Sequence, residues 1–197
     1  MPSYLQRLRD EASRKGLEPQ TKKSLKWFKD RLGKLQRANR IGIFNDEALI
    51  KKGRPSIGKM FLYQYDAKHK DDLPYWDKFP LSIIVARAPK GFYSLSMHYL
   101  PPVPRARLFD ELQKLASNDR WDDTTKMVMT YELLKSTQKF KEFKPCFKHH
   151  LTKHIKSAPI LIPADMWEIV LFLPLQKFQG ASTQKVWRES REIIRKG

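Results

Sequence analysis

Three residues near position 150 have the types and the spacing of a metal site. Cys146, His150 and His154 recur at intervals of four, so on a helix they would share one face and could approach one ion. A thiolate and two imidazoles still leave a tetrahedral ion one ligand short. A histidine face beside phosphates, or plain surface, is therefore the preferred interpretation, and we expect neither a metal nor a cofactor.

Acidic residues near the middle of the chain raise the question of a divalent-metal nuclease. Asp66 and Asp77 lie close to predicted strands, and His98 follows them in the chain. The sequence lacks the acidic pair and lysine on one strand that would specify such an enzyme, and it has no phosphate-binding glycine loop. We interpret the two aspartates as turn residues that bond neighbouring amides. The chain is expected not to be an enzyme, with a small-barrel nuclease as an alternative.

The strongest chemical signal is positive charge. The 197 residues include 39 Lys and Arg against 21 Asp and Glu, which gives a formal net charge of +18. Solubility alone asks for much less in a chain of this size. Duplex DNA presents a phosphate charge every ~1.7 Å along its axis, and each cation that neutralises a phosphate releases a counterion. The excess of positive charge predicts a nucleic-acid partner, and DNA is favoured over RNA. An acidic protein surface is the alternative, and no membrane partner is expected.

The basic side chains concentrate in three segments, at residues 21–37, 135–156 and 182–196. The first is predicted to be a helix capped by Thr21, and the last a helix with arginines opposite its apolar side. No helix-turn-helix, zinc-finger or RNA-recognition signature is present, so we expect phosphate contacts without base readout. The predicted contacts are Lys22, Lys23, Lys26, Lys29, Arg31, Lys34, Arg37, Arg40, Lys141, Lys144, Lys148, Lys153, Arg188, Arg191 and Arg195.

Residues 73–80 form the densest aromatic cluster, with Tyr75, Trp76 and Phe79 between two prolines. Prolines rigidify an exposed loop and so lower the ordering cost of binding, which makes these three rings candidates for partner contact. Packing of the same rings over an open end of the sheet is an equal alternative. Trp27, on the first basic helix, can likewise stack on a base or pack inward, and inward packing is favoured.

Composition limits the kind of protein. A hydrophobic fraction of 41% with 12% aromatics is enough to build a core. The one cysteine excludes an intrachain disulfide and a small secreted scaffold. We expect no signal peptide, because residues 1–40 carry a charge every few positions, and no membrane span, because the longest apolar run is about half of what a bilayer requires.

The patterns predict an α+β protein: a basic N-terminal helical arm over residues 1–50 and a single α+β domain over residues 51–197. Strands at 60–66, 81–87 and 92–100 favour a small antiparallel meander or a barrel-like core, with either a bulge in the last strand or burial of both its faces. The C-terminal half is expected to be mainly helical over residues 105–196. Its helices are predicted at 105–116, 124–135, 145–155 and 182–196, with a short strand at 160–163 and helix or strand at 167–172.

Four stretches of the sequence resemble a protein family of bacteriophages with contractile tails. They are residues 58–80 (GKMFLYQYDAKHKDDLPYWDKFP), 91–101 (GFYSLSMHYLP), 143–151 (FKPCFKHHL) and 163–174 (PADMWEIVLFLP). The resemblance covers residues 57–174 and assigns no site residue. It implies a phage origin and a role with packaged or replicating DNA or within the virion, similar to proteins that protect DNA ends.

Charge and resemblance together predict a phage protein that binds the DNA backbone without base specificity. We expect it in the host cytoplasm during infection, with a place in the virion and a role at DNA ends or in packaging as the extended form of this hypothesis. The alternative is a structural tail, baseplate or neck protein that contacts other virion proteins through its basic arm, since basic arms also neutralise acidic protein surfaces.

Overall fold

The computed structural model describes residues 2–35, 37–47, 49–51, 53–116 and 141–197. The helices in this part of the chain are α1 (Tyr4–Arg14), α2 (Lys22–Leu32), α3 (Arg40–Phe44), α4 (Pro102–Ala116), α5 (Phe143–Cys146), α6 (Trp167–Val170) and α7 (Thr183–Lys196). The strands are β1 (Ile50–Lys51), β2 (Met60–Leu62), β3 (Trp76–Asp77), β4 (Leu81–Ala88), β5 (Gly91–Ser96), β6 (Phe147–Leu151), β7 (Ile160–Ile162) and β8 (Phe178–Gln179).

The sheet confirms the α+β class. Six strands pair in the order β1-β7-β2-β4-β5-β6, and all of these pairings are antiparallel. The predicted meander corresponds to β2, β4 and β5, and β3 and β8 form a separate two-stranded ribbon. The strand β2 is shorter than predicted, and the register shift lies between Ile84 and Ala86 on β4. In β5, Ser94, Leu95 and Ser96 are buried in succession, which is the burial of both faces that was the alternative to a bulge. Among the described strands, β1 and β6 are the two edge strands of this sheet.

The prediction of a helix over residues 145–155 is wrong. After the single turn of α5, Phe147 begins β6, which pairs with β5 so that His150 lies opposite Phe92. Phenylalanine, leucine and isoleucine at intervals of four fit a helix as well as a strand, and here pairing with β5 supplies the backbone hydrogen bonds. Gly91 permits the approach, because a Cβ there would lie 1.9 Å from the carbonyl oxygen of His150.

Other elements of the C-terminal half agree with the sequence patterns. The predicted helices at 105–116 and 182–196 are α4 and α7, and Ser182 caps α7 by accepting a hydrogen bond from the Lys185 amide at 3.2 Å. The short strand is β7, and residues 167–170 are the helix α6. The helix predicted at 124–135 lies outside the described residues. In the described part of the chain, no helix is both long and apolar enough to cross a bilayer.

The N-terminal helices pack against the core and turn their charged sides outward. The side chain of Thr21 accepts a hydrogen bond from the Ser24 amide at 3.2 Å and the Ser24 side chain bonds back to the Thr21 amide, which confirms the predicted cap. Leu25, Phe28 and Leu32 are buried in the same cluster as Leu5 of α1 and the inner side of the sheet. Helix α2 contacts α4 and α6. The packing of α2 against α4 and α6 therefore fixes the position of its basic face.

A second apolar cluster covers the other side of the sheet and encloses His150. Tyr65 and Phe92 belong to this cluster, and the His150 ring lies 4.7 Å from the Tyr65 ring in an edge-to-face arrangement. His150 Nδ1 is 3.0 Å from the Ser94 hydroxyl. Burial lowers the pKa of His150 to about 3, and the nearby Lys148 charge acts in the same direction.

This burial makes folding stability depend on pH. An unfolded-chain histidine titrates near pH ~6.5, so between that pH and about 3 the unfolded state holds one proton more than the folded state at His150. The free energy of unfolding should therefore fall with falling pH, by ~1.4 kcal/mol per pH unit from this residue. Urea unfolding at several pH values between about 4.5 and 6 gives the slope of the free energy of unfolding against pH. We expect this slope to be smaller by that amount in His150→Gln than in the wild type. His69→Gln, on an exposed loop residue, is the control; equal slopes for wild type and His150→Gln would contradict the assignment.

Candidate nucleic-acid interface

Helix α7 is oriented by three contacts with the body of the protein. Val186 is fully buried, the Ser190 hydroxyl donates to the Tyr99 carbonyl oxygen at 2.8 Å, and the Trp187 indole N–H donates to the His98 carbonyl oxygen at 2.9 Å. These contacts determine which side of α7 faces the protein. The opposite side is exposed to solvent.

That exposed side carries a row of arginines. Gln184, Arg188, Arg191 and Arg195 follow one another at intervals of four, three and four, so they lie along one side of the helix. All three arginines are exposed, and within the described residues no carboxylate oxygen lies within 4.0 Å of their nitrogens. Helical rise places Arg188 and Arg195 about 10 Å apart along the axis. We call these three residues the α7 arginine row.

The α7 arginine row continues toward α5. Lys144, an exposed residue of α5, has its ammonium group beside Gly197 at the C-terminal end of α7. Helices α5 and α7 are in contact. A basic surface therefore runs along α7 and past its end.

Helix α2 presents a second basic face. Lys22, Lys23 and Lys26 are exposed and have no carboxylate partner among the described residues. Two other predicted contacts are partly neutralised: Lys29 lies 3.6 Å from an Asp30 oxygen, and Arg31 lies 3.7 Å from a Glu11 oxygen. The Trp27 ring is half-buried and packs edge-to-face on Phe28 at 4.9 Å, the inward arrangement that was favoured.

A groove lies where α2 ends and α7 begins. Its volume is about 530 Å³. Lys34 and Arg37, both exposed, come from the segment after α2, and Arg105 comes from α4. Gln184 and Trp187 belong to the first two turns of α7, so the groove adjoins the arginine row. No aspartate or glutamate is among the described residues that line it. We call this feature the cationic groove.

Sequence reasoning did not identify Arg105 as a site residue. Its side chain is 2% exposed, and its guanidinium donates to the Leu100 carbonyl oxygen at 2.7 and 3.0 Å and to the Leu171 carbonyl oxygen at 2.6 Å. The ring of Trp187 lies 5.8 Å from the guanidinium carbon. Arginine in an amphipathic helix is usually exposed, so no local sequence signal could have revealed this burial.

Two of the predicted phosphate contacts are directed into the protein. The Lys148 ammonium lies 4.3 Å from the centre of the Tyr99 ring, and burial lowers the pKa of this lysine. Arg40 donates to the carbonyl oxygens of Leu175 and Gln176 at 2.8 and 2.6 Å. These side chains stabilise the fold and do not belong to the exposed basic surface.

The rest of the second basic segment is dispersed. Lys141 and Lys153 are exposed, whereas residues 135–140 lie outside the described part of the chain. Phe143 is buried and stacks on Phe147 with ring centres 4.9 Å apart. These phenylalanines belong to the core cluster or pack against it, so they do not form a platform for bases.

The aromatic loop packs on the protein itself. Tyr75 lies within 6.2 Å of the rings of Tyr99 and Phe178, and Phe79 lies 5.7 Å from Phe44. Trp76 is half-buried against the second apolar cluster. The three predicted partner-contact rings thus pack on other side chains of the protein.

The three candidate metal ligands do not share a helix. The Cys146 thiol is buried at the end of α5 and donates to the Phe143 carbonyl oxygen, His150 lies in β6, and His154 Nδ1 is 2.8 Å from the Asp66 carbonyl oxygen. The described residues contain no group of three or more His, Cys, Asp or Glu side chains arranged to hold one ion.

The three candidate nuclease residues differ in burial. Asp77 and His98 are both buried, and an Asp77 oxygen lies 2.8 Å from His98 Nδ1. Asp77 also accepts hydrogen bonds from the amides of Phe79 at 3.0 Å and Lys177 at 2.9 Å. The turn interpretation was right for the Phe79 amide but missed the burial. Asp66 lies near the surface, 3.3 Å from the Lys70 ammonium.

A comparison with known protein families matches nearly the whole chain. The family described as phage T4 terminal DNA protecting protein matches residues 1–190, which includes the N-terminal helices that the resemblance in the sequence had left out. No curated protein and no solved structure matched the chain. Because the match spans nearly the whole of this basic α+β protein, the chain belongs to the phage T4 terminal DNA protecting protein family.

Proposed function

We propose that this protein binds the ends of linear duplex DNA through the phosphate backbone, without reading bases, and thereby shields those ends from exonucleases. The observation that carries the proposal is the α7 arginine row, which is exposed, has no carboxylate partner among the described residues and adjoins the cationic groove. The family description adds terminal DNA as the target.

The chemistry of the row suits phosphate more than bases. Arginine offers a planar fork of N–H donors that fits phosphate oxygens in pairs. Exposed cations on a helix side that is about 10 Å long can follow a phosphate backbone, and each neutralised phosphate releases a counterion. The lysines Lys22, Lys23 and Lys26 of α2 provide a second surface of the same kind. Affinity from such contacts depends on charge and salt and little on sequence.

Such a protein would act in the host cell during infection, wherever linear phage DNA is exposed to nucleases. Packaging of the protein with the DNA in the virion is a further part of the proposal. In this proposal the bound protein protects DNA by covering the end that an exonuclease would attack, and this requires no catalytic group.

Protection from digestion tests the proposal. We expect the full chain to slow the digestion of a linear duplex by an exonuclease that starts at duplex ends, and to do so equally for two duplexes of unrelated sequence. An endonuclease that cuts at an internal site should be impeded much less on the same DNA. Equal digestion rates with and without the protein, at concentrations that saturate binding, would contradict the function.

A further inference from the structure

We propose that the cationic groove binds the terminal phosphate of a DNA end, so that the protein contacts the end itself in addition to the flanking backbone. This inference rests on the proposed function, because it names the chemical group that the bound end presents. It concerns Lys34, Arg37 and Arg105, none of which belongs to the α7 arginine row.

The first argument is the buried charge of Arg105. A buried cation is costly unless an anion pairs with it, and no carboxylate oxygen of the described residues lies within 4.0 Å of this guanidinium. Its carbonyl partners use three N–H contacts of a group that has five N–H bonds. Burial lowers the pKa of Arg105 to about 9 and the charge of Asp77, beyond contact distance, partly offsets this, so the group remains charged at neutral pH. An anion in the groove would add a counter-charge at contact distance.

The second argument is the composition of the groove. Two exposed cations, Lys34 and Arg37, lie at its edge, and the described lining has no acidic residue to neutralise them. A volume of about 530 Å³ is in the range of small-ligand sites. The site therefore fits a small polar anion.

The third argument is that a terminal phosphate differs from an internal one. A phosphate monoester carries about −1.5 to −2 charges at pH 7, whereas a backbone diester carries one. A monoester at a strand end also projects beyond the base pairs and can enter a concave site, while internal phosphates lie along a convex cylinder. Since the groove adjoins the start of the arginine row, a duplex lying along α7 would bring its end to the groove.

The test uses the full chain and one duplex sequence prepared with different ends. The ends carry a 5′-phosphate, a 3′-phosphate or hydroxyls only, and a fourth duplex is closed by hairpin loops to measure the backbone contribution. We expect the wild-type protein to bind at least one phosphorylated form about tenfold more tightly than the hydroxyl form. The 5′ and 3′ arms identify which strand end the groove accepts.

The variant Lys34→Gln/Arg37→Gln should reduce that difference to about threefold or less, because Arg105 is then the one cation left in the described lining of the groove. Both side chains are exposed, so folding should be unaffected, whereas replacing Arg105 would remove three hydrogen bonds of the core. The matched control is Lys68→Gln/Arg87→Gln, which removes the same charge from exposed positions outside the groove and should keep the preference.

The outcomes separate the two proposals. If the wild-type protein protects DNA from exonuclease but binds phosphorylated and hydroxyl ends with equal affinity, the groove inference is wrong and the proposed function stands. A preference that keeps its wild-type size in Lys34→Gln/Arg37→Gln also overturns the inference. If the protein neither protects DNA nor binds any of the four duplexes, the proposed function itself fails.

Discussion

Replacing the α7 arginine row by glutamine should lower the affinity for linear duplex DNA by roughly 100-fold or more at about 0.1 M salt. Each phosphate contact contributes about 0.9 to the slope of log affinity against log salt, which at this salt concentration corresponds to about tenfold in affinity. The variant Arg188→Gln/Arg191→Gln/Arg195→Gln should therefore also bind with a slope that is shallower by about 2.7. Glutamine favours helix nearly as well as arginine, so α7 should persist. Fluorescence anisotropy over a salt series measures both quantities.

The control for this prediction removes the same charge elsewhere. Lys68→Gln/Arg87→Gln/Lys90→Gln changes three exposed cations, one on the loop after β2, one in β4 and one in the turn between β4 and β5. Its affinity should change severalfold, through the reduced net charge, and its salt slope should stay close to that of the wild type. If both triple variants lose the same affinity and the same slope, binding follows net charge and the α7 arginine row has no special part in it.

Asp77→Ala should destabilise the fold by about 3 to 5 kcal/mol, because it leaves the buried His98 Nδ1 and two backbone amides without their acceptor. Asp77 accepts from the amides of Phe79 and Lys177 as well as facing His98 Nδ1. His98 Nε2 has no partner among the described residues, and the variant would also remove the carboxylate partner of Nδ1. Burial lowers the pKa of His98, and it would therefore stay neutral rather than recover solvation by protonation. Denaturant unfolding near pH 7 measures the loss, which corresponds to a melting temperature lower by roughly 10 °C.

Two further variants define this result. Asp66→Ala removes a carboxylate whose side chain is 40% exposed and paired with Lys70, and it should cost no more than about 0.5 kcal/mol. Asp77→Asn keeps one oxygen for the two amides and should be milder than Asp77→Ala. A loss below about 1 kcal/mol for Asp77→Ala would show that the contact with His98 does not hold β3 against the core.

The elements that carry the interface were predictable from sequence because their signals are local. Thr21 and Ser182 are helix-capping residues placed just before amphipathic periods, and both caps are present in the structure. The apolar residues of α2 determine which side is buried, and this leaves the lysines outside. The side of the helix on which each lysine lies thus follows from the spacing of the apolar residues in the sequence.

The remaining features depend on residues distant in the chain. Strand β6 is stabilised by pairing with β5, more than 50 residues earlier, and its periodicity is equally compatible with a helix. Arg105 is held by a carbonyl 66 residues away, and Asp77 contacts His98 and the Lys177 amide across separate elements. Lys148 points at Tyr99 instead of solvent for the same reason. Side-chain burial set by tertiary contacts leaves no pattern in the local sequence.

The salt dependence of binding tests the central claim most directly. We expect the log of the affinity of the full chain for linear duplex DNA to fall linearly with the log of salt concentration, with a slope of about −5, as about six phosphate contacts would give. Two duplexes of unrelated sequence should give the same line. An affinity that does not change between low and moderate salt, or that is restricted to one of the two sequences, would contradict backbone binding by the exposed cations.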